Sequence, residues 1–260
     1  MSEPLVLRSP ALDDSRLRHG FFTRLGGVSQ GLQDGKRDDL ALDFRPELSP
    51  QEVRENRARA AAAFGAPFVT AQQVHGASVL SVTDLWDAQT APRQADALVT
   101  DRKDLGLGVL SADCAPILFA DLEAAVIGAC HAGWRGLQAG VIDATVQAMV
   151  ALGARPAQMR AVLGPCLGRL SFEVSLDFPD EFATVLPRHR AYFRPAVRRD
   201  RLLFDMPRAV GSLCEAAGLP RLQVLDLDTY TQRDRFFSYR RATHAQDCDG
   251  GRQISLIALK

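Results

Sequence analysis

Between Gly106 and Leu163 four short apolar runs surround one helical repeat, and this arrangement restricts the fold more than any other feature of the chain. Gly106 to Leu110, Pro116 to Ala120, Ala124 to His131 and Met159 to Leu163 each have the length and unbroken apolar character of a buried strand. From Leu137 to Leu152, apolar residues at 137, 141, 144, 148 and 152 recur with helical spacing, and Gly153 supplies a stop. Leu202 to Phe204, Gln223 to Leu227 and Ile254 to Leu259 read as further strands, with a helix near 206–217. Strands and helices interleave without a strict βαβ rhythm. The expectation is an α/β (α+β) single domain over residues 1–260, with mixed β-sheets flanked by helices.

The opening third adds punctuation. Phe21-Phe22-Thr23-Arg24 reads as a strand running into a glycine-rich turn, Leu25 to Gly31, and the polar segment 32–48 reads as a surface loop. A helix is bracketed clearly: Ser49 as N-cap, Pro50 at the first helical position and Glu52 at the capping-box position open it, and Gly65 and Pro67 close it.

Composition narrows the functional classes. With 31 basic and 31 acidic residues the chain is formally neutral, which argues against a nucleic-acid or anionic-membrane binder. All but three of the basic residues (Lys36, Lys103 and Lys260) are Arg, so a local site for phosphate or carboxylate stays open. The five cysteines (114, 130, 166, 214, 248) form no CxxC pair, which excludes a disulfide framework or zinc ribbon. The five histidines (19, 75, 131, 189, 244) are too few for a blue-copper site and a histidine-rich trinuclear cluster together. No apolar run approaches the roughly 18–20 residues that span a bilayer, and the N-terminus lacks a signal-peptide pattern, so the cytoplasm is expected.

Three residues beside predicted strands can bind a borderline metal: His75 in Gln72-Gln73-Val74-His75-Gly76, Cys114 in Ala112-Asp113-Cys114-Ala115-Pro116, and His131 in Cys130-His131-Ala132-Gly133. Two imidazoles and a thiolate are a ligand set for catalytic zinc, with the fourth position left open. Their separations of 39 and 17 residues match no compact zinc motif, and the same residues equally suit turn or core histidines and a buried thiol. Strand alternation puts Cys130 and His131 on opposite faces, so only one of them can enter a shared site. After His131, Gly133-Trp134-Arg135-Gly136 leads into the predicted helix, where free N–H groups and the Arg135 guanidinium suit an anion, although a solvated surface arginine is an equal reading.

The chain resembles the YfiH-type laccase-domain family, also called multicopper polyphenol oxidase-like, whose members are viewed as purine nucleoside phosphorylases. The matching blocks run in order across nearly the whole chain: FFTRLGGVSQG (21–31), ENR (55–57), QQVHG (72–76), ADALVTD (95–101), SADCAPILFAD (111–121), HAGWRG (131–136), LGPCLG (163–168), FEV (172–174), DRFFSYRR (234–241) and ISLIAL (254–259). The resemblance implies zinc held by His75, Cys114 and His131, and phosphorolysis of adenosine, inosine and methylthioadenosine with adenosine deamination as a second activity. It implies purine nucleosides and inorganic phosphate as partners, no nucleic acid or membrane, and a monomer or homodimer. Three departures bear on substrate preference: Ala41 stands where the family carries Asn, Asp228-Thr229 replaces a Cys-Thr pair, and Gly250-Gly251-Arg252 replaces Thr-Gly-Arg.

On that reading Arg24, Gln73 and Arg135 are the candidate substrate and phosphate residues, and Trp134, Phe236, Phe237 and Tyr239 are candidate stacking faces for a purine. Zinc deaminases use a Glu as general acid/base, and no Glu lies in the blocks around the three ligands; Asp113 is the nearest carboxylate in sequence. The DRFFSYRR segment is expected to be a surface strand with a solvated Arg241, and Arg240 is left open between a solvated residue and one closing over the site. Three rivals use the same residues differently. Cys114 could be a metal-free nucleophile activated by a histidine, copper could replace zinc in a phenol oxidase, or the metal could be structural with a fourth protein ligand.

Overall fold

The apolar runs pair into two mixed sheets laid face to face. The first has the order β1 (Val6–Leu7), β2 (Leu17–Phe22), β16 (Gln253–Leu259), β8 (Gly106–Ser111), β5 (Phe68–Thr70). The second has the order β15 (Leu222–Val224), β11 (Arg160–Leu163), β9 (Ala115–Asp121), β10 (Val126–Ala132), β7 (Ala97–Thr100), β6 (Val79–Ser81). In each sheet the inner pairs are antiparallel and short outer strands add parallel pairs: β5 to β8, β15 to β11 and β6 to β7. The structure, a computed structural model, describes residues 3–30, 37–44, 48–186, 188–220, 222–246 and 251–260.

The period-two alternation of the strands sorts their side chains into three apolar layers. Leu98, Leu118, Ala120, Ile127 and Ala129 face inward to meet Phe21, Leu107, Val109 and Ile257 of the other sheet. Their neighbours Ala97, Val99, Ile117, Phe119 and Cys130 face the opposite way, against helices α3 (Val141–Ala151) and α4 (Met206–Ala216). On the far side of the first sheet, Phe22, Leu110, Ile254 and Leu256 pack on Ala60 and Phe64 of helix α1 (Pro50–Phe64). Phe119 is fully buried, so cutting it to Ala costs about 3–5 kcal/mol. Beside these layers lie a three-stranded sheet, β12 (Glu173–Ser175), β14 (Arg201–Phe204), β13 (Phe193–Pro195), and a β3 (Leu25–Gln30) to β4 (Arg37–Asp39) ribbon.

The mixed α/β architecture agrees with the sequence reading, and α1 starts and stops on its expected caps: Ser49 Oγ accepts the Glu52 N–H and Gly65 is the C-cap. Four local expectations are corrected. Leu25 to Gln30 is a strand rather than a turn; Leu25 and Ser29 both pair with Asp39 across an irregularity, which is where glycine belongs in a strand. The segment 32–48 is not a surface loop in its described part, because Leu40, Ala41 and Leu42 are at most 1 % exposed; residues 31–36 and 45–47 lie outside the described residues. The helical repeat from Leu137 is two helices, α2 (Trp134–Gln138) and α3, separated at Gly140, whose φ of 84° is left-handed. The segment expected as a surface strand ends in helix α5 (Tyr239–Ala245), capped by Ser238. Arg241 is no solvated side chain there, since its guanidinium donates to the carbonyls of Thr229, Tyr230 and Phe236. Among the described residues, no helix is long and apolar enough to cross a membrane.

Candidate metal centre

The pairing of β9 with β10 runs to Pro116 opposite His131 and Ala115 opposite Ala132. Cys114 precedes the first of these strands and Gly133 follows the second, so the register itself carries the thiol to the strand end that bears His131. On the other flank β7 pairs with β10 up to Ala97 opposite Cys130, and the Asp96 carbonyl accepts the His131 backbone N–H at 2.7 Å. The turn Val74-His75-Gly76 folds over the same end. One donor atom from each of His75, Cys114 and His131 lies within 4.8 Å of the others, among the described residues. The two imidazoles meet edge to face, with ring centroids 4.9 Å apart. His131 is buried, Cys114 half-buried and His75 exposed, so the cluster opens to solvent on the His75 side.

Two turns that carry candidate ligands use left-handed backbone. His75 has φ 60° and Asp113, just before Cys114, has φ 91°. Non-glycine residues hold such angles when their surroundings over-determine them, and such strain clusters at functional sites. At His75 the surroundings are the Asp96 carboxylate, which accepts the backbone N–H groups of Val74, His75 and Gly76 and stands 2.9 Å from His131 Nδ1. At Asp113 the carboxylate accepts the Thr229 hydroxyl at 2.6 Å and the Arg240 N–H at 2.7 Å, tying the Cys114 turn to the C-terminal segment. Burial raises the Asp113 carboxyl above its usual range despite those bonds.

The charges of the cluster are coupled. Burial by itself would raise the Cys114 thiol, but the facing His131 and His75 outweigh it and bring it down to about 6. Burial works against a charged His131, yet Cys114 and Asp96 outweigh it and raise the imidazole to about 9. Each group therefore favours the charged form of the other. The residues fit a metal by their chemistry: two imidazoles and a thiolate suit zinc or copper. A cradle completes the fit, since a Cβ on Gly133 would come within 2.7 Å of His75 Nδ1 and 3.1 Å of Cys114 Sγ.

The other sequence candidates fall in varied places. Arg135 is exposed, its guanidinium 4.4 Å from the Trp134 ring, and Trp134 packs edge-on to Phe178. Arg24 is 7 % exposed and pairs with Asp39 through two nitrogens at 2.8 and 2.6 Å. Gln73 spends its amide on the Leu110 backbone, donating to the carbonyl at 2.7 Å and accepting the N–H at 2.8 Å. Phe236 and Phe237 are buried, and Tyr239 is 72 % exposed. Arg240 neither waves in solvent nor stands free, because it donates to the Glu173 carbonyl and lies over Phe172. Of the departures, Asp228 accepts the Gly168 N–H and the Ser171 hydroxyl, and Thr229 bonds Asp113, so this pair builds the wall beside Cys114. Ala41 keeps its carbonyl on Asn56, Arg252 reaches Asp43, and Gly250 and Cys248 lie outside the described residues.

Asp96 is the residue that sequence reasoning missed. It lies within the quoted ADALVTD block, but its meaning depends on which strand crosses it, and that register is a long-range property.

The layered α/β fold with a His–Cys–His cluster at one strand end defines a class: candidate metalloproteins with an open coordination side. The chain belongs to the family described as multi-copper polyphenol oxidoreductase laccase, which it matches over residues 18–260. It is 39% identical over 242 residues to a purine nucleoside phosphorylase of Deinococcus radiodurans, covering 91% of this chain and 87% of that one. It is 35% identical over 239 residues to purine nucleoside phosphorylase YfiH of Escherichia coli, covering 91% of each. Among solved structures, Neisseria meningitidis protein NMB0706, of family DUF152, superposes with a TM-score of 0.84 at 32% identity and full coverage of both chains.

Proposed function

We propose that the chain is a zinc-dependent purine nucleoside phosphorylase of the cytoplasm. It would cleave adenosine, inosine and S-methyl-5'-thioadenosine with inorganic phosphate, and deaminate adenosine as a side activity. The observation that carries this reading is the convergence of His75, Cys114 and His131 within 4.8 Å in a family whose relatives bear the phosphorylase name. Phosphorolysis asks little covalent work of a protein, since positioning and electrostatics supply most of the effect. Zinc held by these three residues would supply a Lewis acid with an open position facing the solvent side.

The chain's own residues supply the rest. Arg135 is exposed at the start of α2 and is the candidate grip for phosphate, with its guanidinium held over Trp134. Substrate roles for Arg24 and Gln73 would require them to leave Asp39 and Leu110, so both are proposed to hold the walls of the site. Asp113 holds the Cys114 turn against Thr229 and Arg240, and its buried carboxyl is the nearest acid to the cluster in sequence.

The test is release of hypoxanthine from inosine by purified, copper-free, zinc-loaded protein, with and without phosphate. Phosphate-dependent release, lost in Cys114→Ala and His131→Ala, supports the reading; unchanged turnover in either variant overturns it. Ammonia release from adenosine tests the deaminase activity. Phenol oxidation that needs added copper, without nucleoside cleavage, would support the oxidase instead. Activity that survives chelation with a covalent adduct at Cys114 would support a thiol nucleophile.

A further inference from the structure

Asp96 is 1 % exposed and sits one residue before β7, directly across from His131. Both of its oxygens are engaged. Oδ1 accepts the His75 N–H at 2.9 Å, and Oδ2 accepts the Gly76 N–H at 2.7 Å and the Val74 N–H at 3.2 Å. Oδ1 also lies 2.9 Å from His131 Nδ1. Since that oxygen already accepts a backbone N–H, the ring contact is met by Nδ1–H donating. Nδ1 is thereby kept protonated, and Nε2 is the nitrogen left to give up its proton and bind a metal; Asp96 fixes which nitrogen that is.

The same carboxylate also governs the second imidazole. A left-handed His75 costs roughly 1–2 kcal/mol relative to ordinary backbone. Three N–H bonds to one carboxylate offset that cost and hold the turn closed over His131. Among the described residues, no other side chain touches two of the three candidate ligands through hydrogen bonds to a ring and to a backbone N–H. Asn at this position would keep one acceptor oxygen and turn an NH₂ toward donors.

We propose that Asp96 is a positioning residue of the metal centre: it orients His131 to bind through Nε2 and locks the His75 turn in place, so that two of three ligands depend on one carboxylate. This rests on the reading that His75, Cys114 and His131 hold a metal. Partners of this kind, beyond the ligands themselves, typically contribute 10–100-fold to metal affinity.

The experiment measures zinc affinity of metal-stripped wild type, Asp96→Asn and Asp96→Glu by competition with a chromogenic chelator, with circular dichroism to confirm the fold. A second measurement needs no variant: ¹⁵N–¹H correlation of the histidine rings in zinc-loaded wild type. The expected results are about 10–100-fold weaker zinc in folded Asp96→Asn, and a His131 ring protonated at Nδ1 and metal-bound at Nε2. A folded Asp96→Asn with wild-type affinity overturns the proposal, as does a His131 bound through Nδ1. Should both variants fail to fold, the wild-type ring assignment decides. A wild type that binds no zinc overturns the metal reading itself, and this proposal with it; that result differs from tight wild-type binding that is indifferent to Asp96.

Discussion

Gly133 and Cys114 face each other across the end of the β9–β10 pair, so closely that a Cβ on Gly133 would lie 3.1 Å from the thiol sulfur and 2.7 Å from His75 Nδ1. The backbone of Gly133 is ordinary, with φ −72°, and any residue could adopt it. What the position excludes is therefore volume in the cradle. Gly133→Ala is expected to keep the circular dichroism and unfolding midpoint of the wild type while weakening zinc binding about ten-fold or more in a chelator competition. Wild-type zinc affinity in a folded Gly133→Ala protein would show that the donors do not share one ion.

The coupled charges of the cluster make a labelling prediction. Burial pushes the Cys114 thiol up, but His131 and His75 outweigh that and hold it at about 6, whereas burial pushes Cys130 up to about 12. Thiolate reacts and thiol does not. In metal-free protein, iodoacetamide labelling of Cys114 should rise with pH to half its maximum near pH 6, and Cys130 should stay unlabelled at pH 7. His131→Ala should move the Cys114 midpoint toward the ordinary thiol range of about 8–9. Peptide mapping by mass spectrometry reads each cysteine separately, and a Cys114 midpoint that ignores His131 would count against their contact.

The residues of the candidate site differ in how legible they are from the sequence. Cys114 and His131 stood out in the sequence because each borders an apolar run, and local hydrophobic pattern locates strand ends well. Their convergence rests on the antiparallel register of β9 and β10, which a tight connection between neighbouring strands makes inferable. Asp96 was hidden because it reaches His131 only through the pairing of β7 with β10, strands separated in sequence by β8 and β9. The same reason explains Arg241 and Phe237, which looked like surface and ligand-facing residues in a charged string. Their placement depends on Thr229 and Tyr230 for the half-buried Arg241, and on Gln253 and Arg24 for the buried Phe237, all contacts made after folding. The break at Gly140 was missed because the apolar spacing continues through it, while the left-handed glycine interrupts only the backbone.

Arg24 and Asp39 supply a stability test that separates a structural role from a substrate role. Arg24 is 7 % exposed and Asp39 9 %, they bond through two nitrogens, and the Arg24 guanidinium also lies 4.6 Å over the Phe237 ring. Removing one partner of such a buried, two-nitrogen pair costs about 3–5 kcal/mol. Asp39→Ala and Arg24→Ala should each lower the denaturation free energy by that order, and the double variant by clearly less than their sum. Additive losses would mean that the two side chains do not act as a pair. A phosphate KM that rises in Arg24→Ala far more than in Asp39→Ala would assign Arg24 to the substrate.

The last prediction concerns pH and a residue outside the candidate metal centre. His19 is 6 % exposed in β2, and its Nε2 accepts the Ser9 backbone N–H at 2.8 Å, which requires the neutral ring. Burial and the nearby Arg8 depress its pKa, outweighing Asp13. A base whose folded pKa is depressed takes up a proton more readily when unfolded. Its contribution is therefore fully present above the unfolded value of about 6.5 and is lost as pH falls below that value toward the folded pKa. His19→Gln removes the titrating group and leaves an amide oxygen that can accept from Ser9. Urea denaturation at pH 7.5 and pH 5.5 should show the wild type losing on the order of 1 kcal/mol more than His19→Gln between the two conditions. Equal losses in the two proteins would mean that His19 does not titrate against the fold in this range.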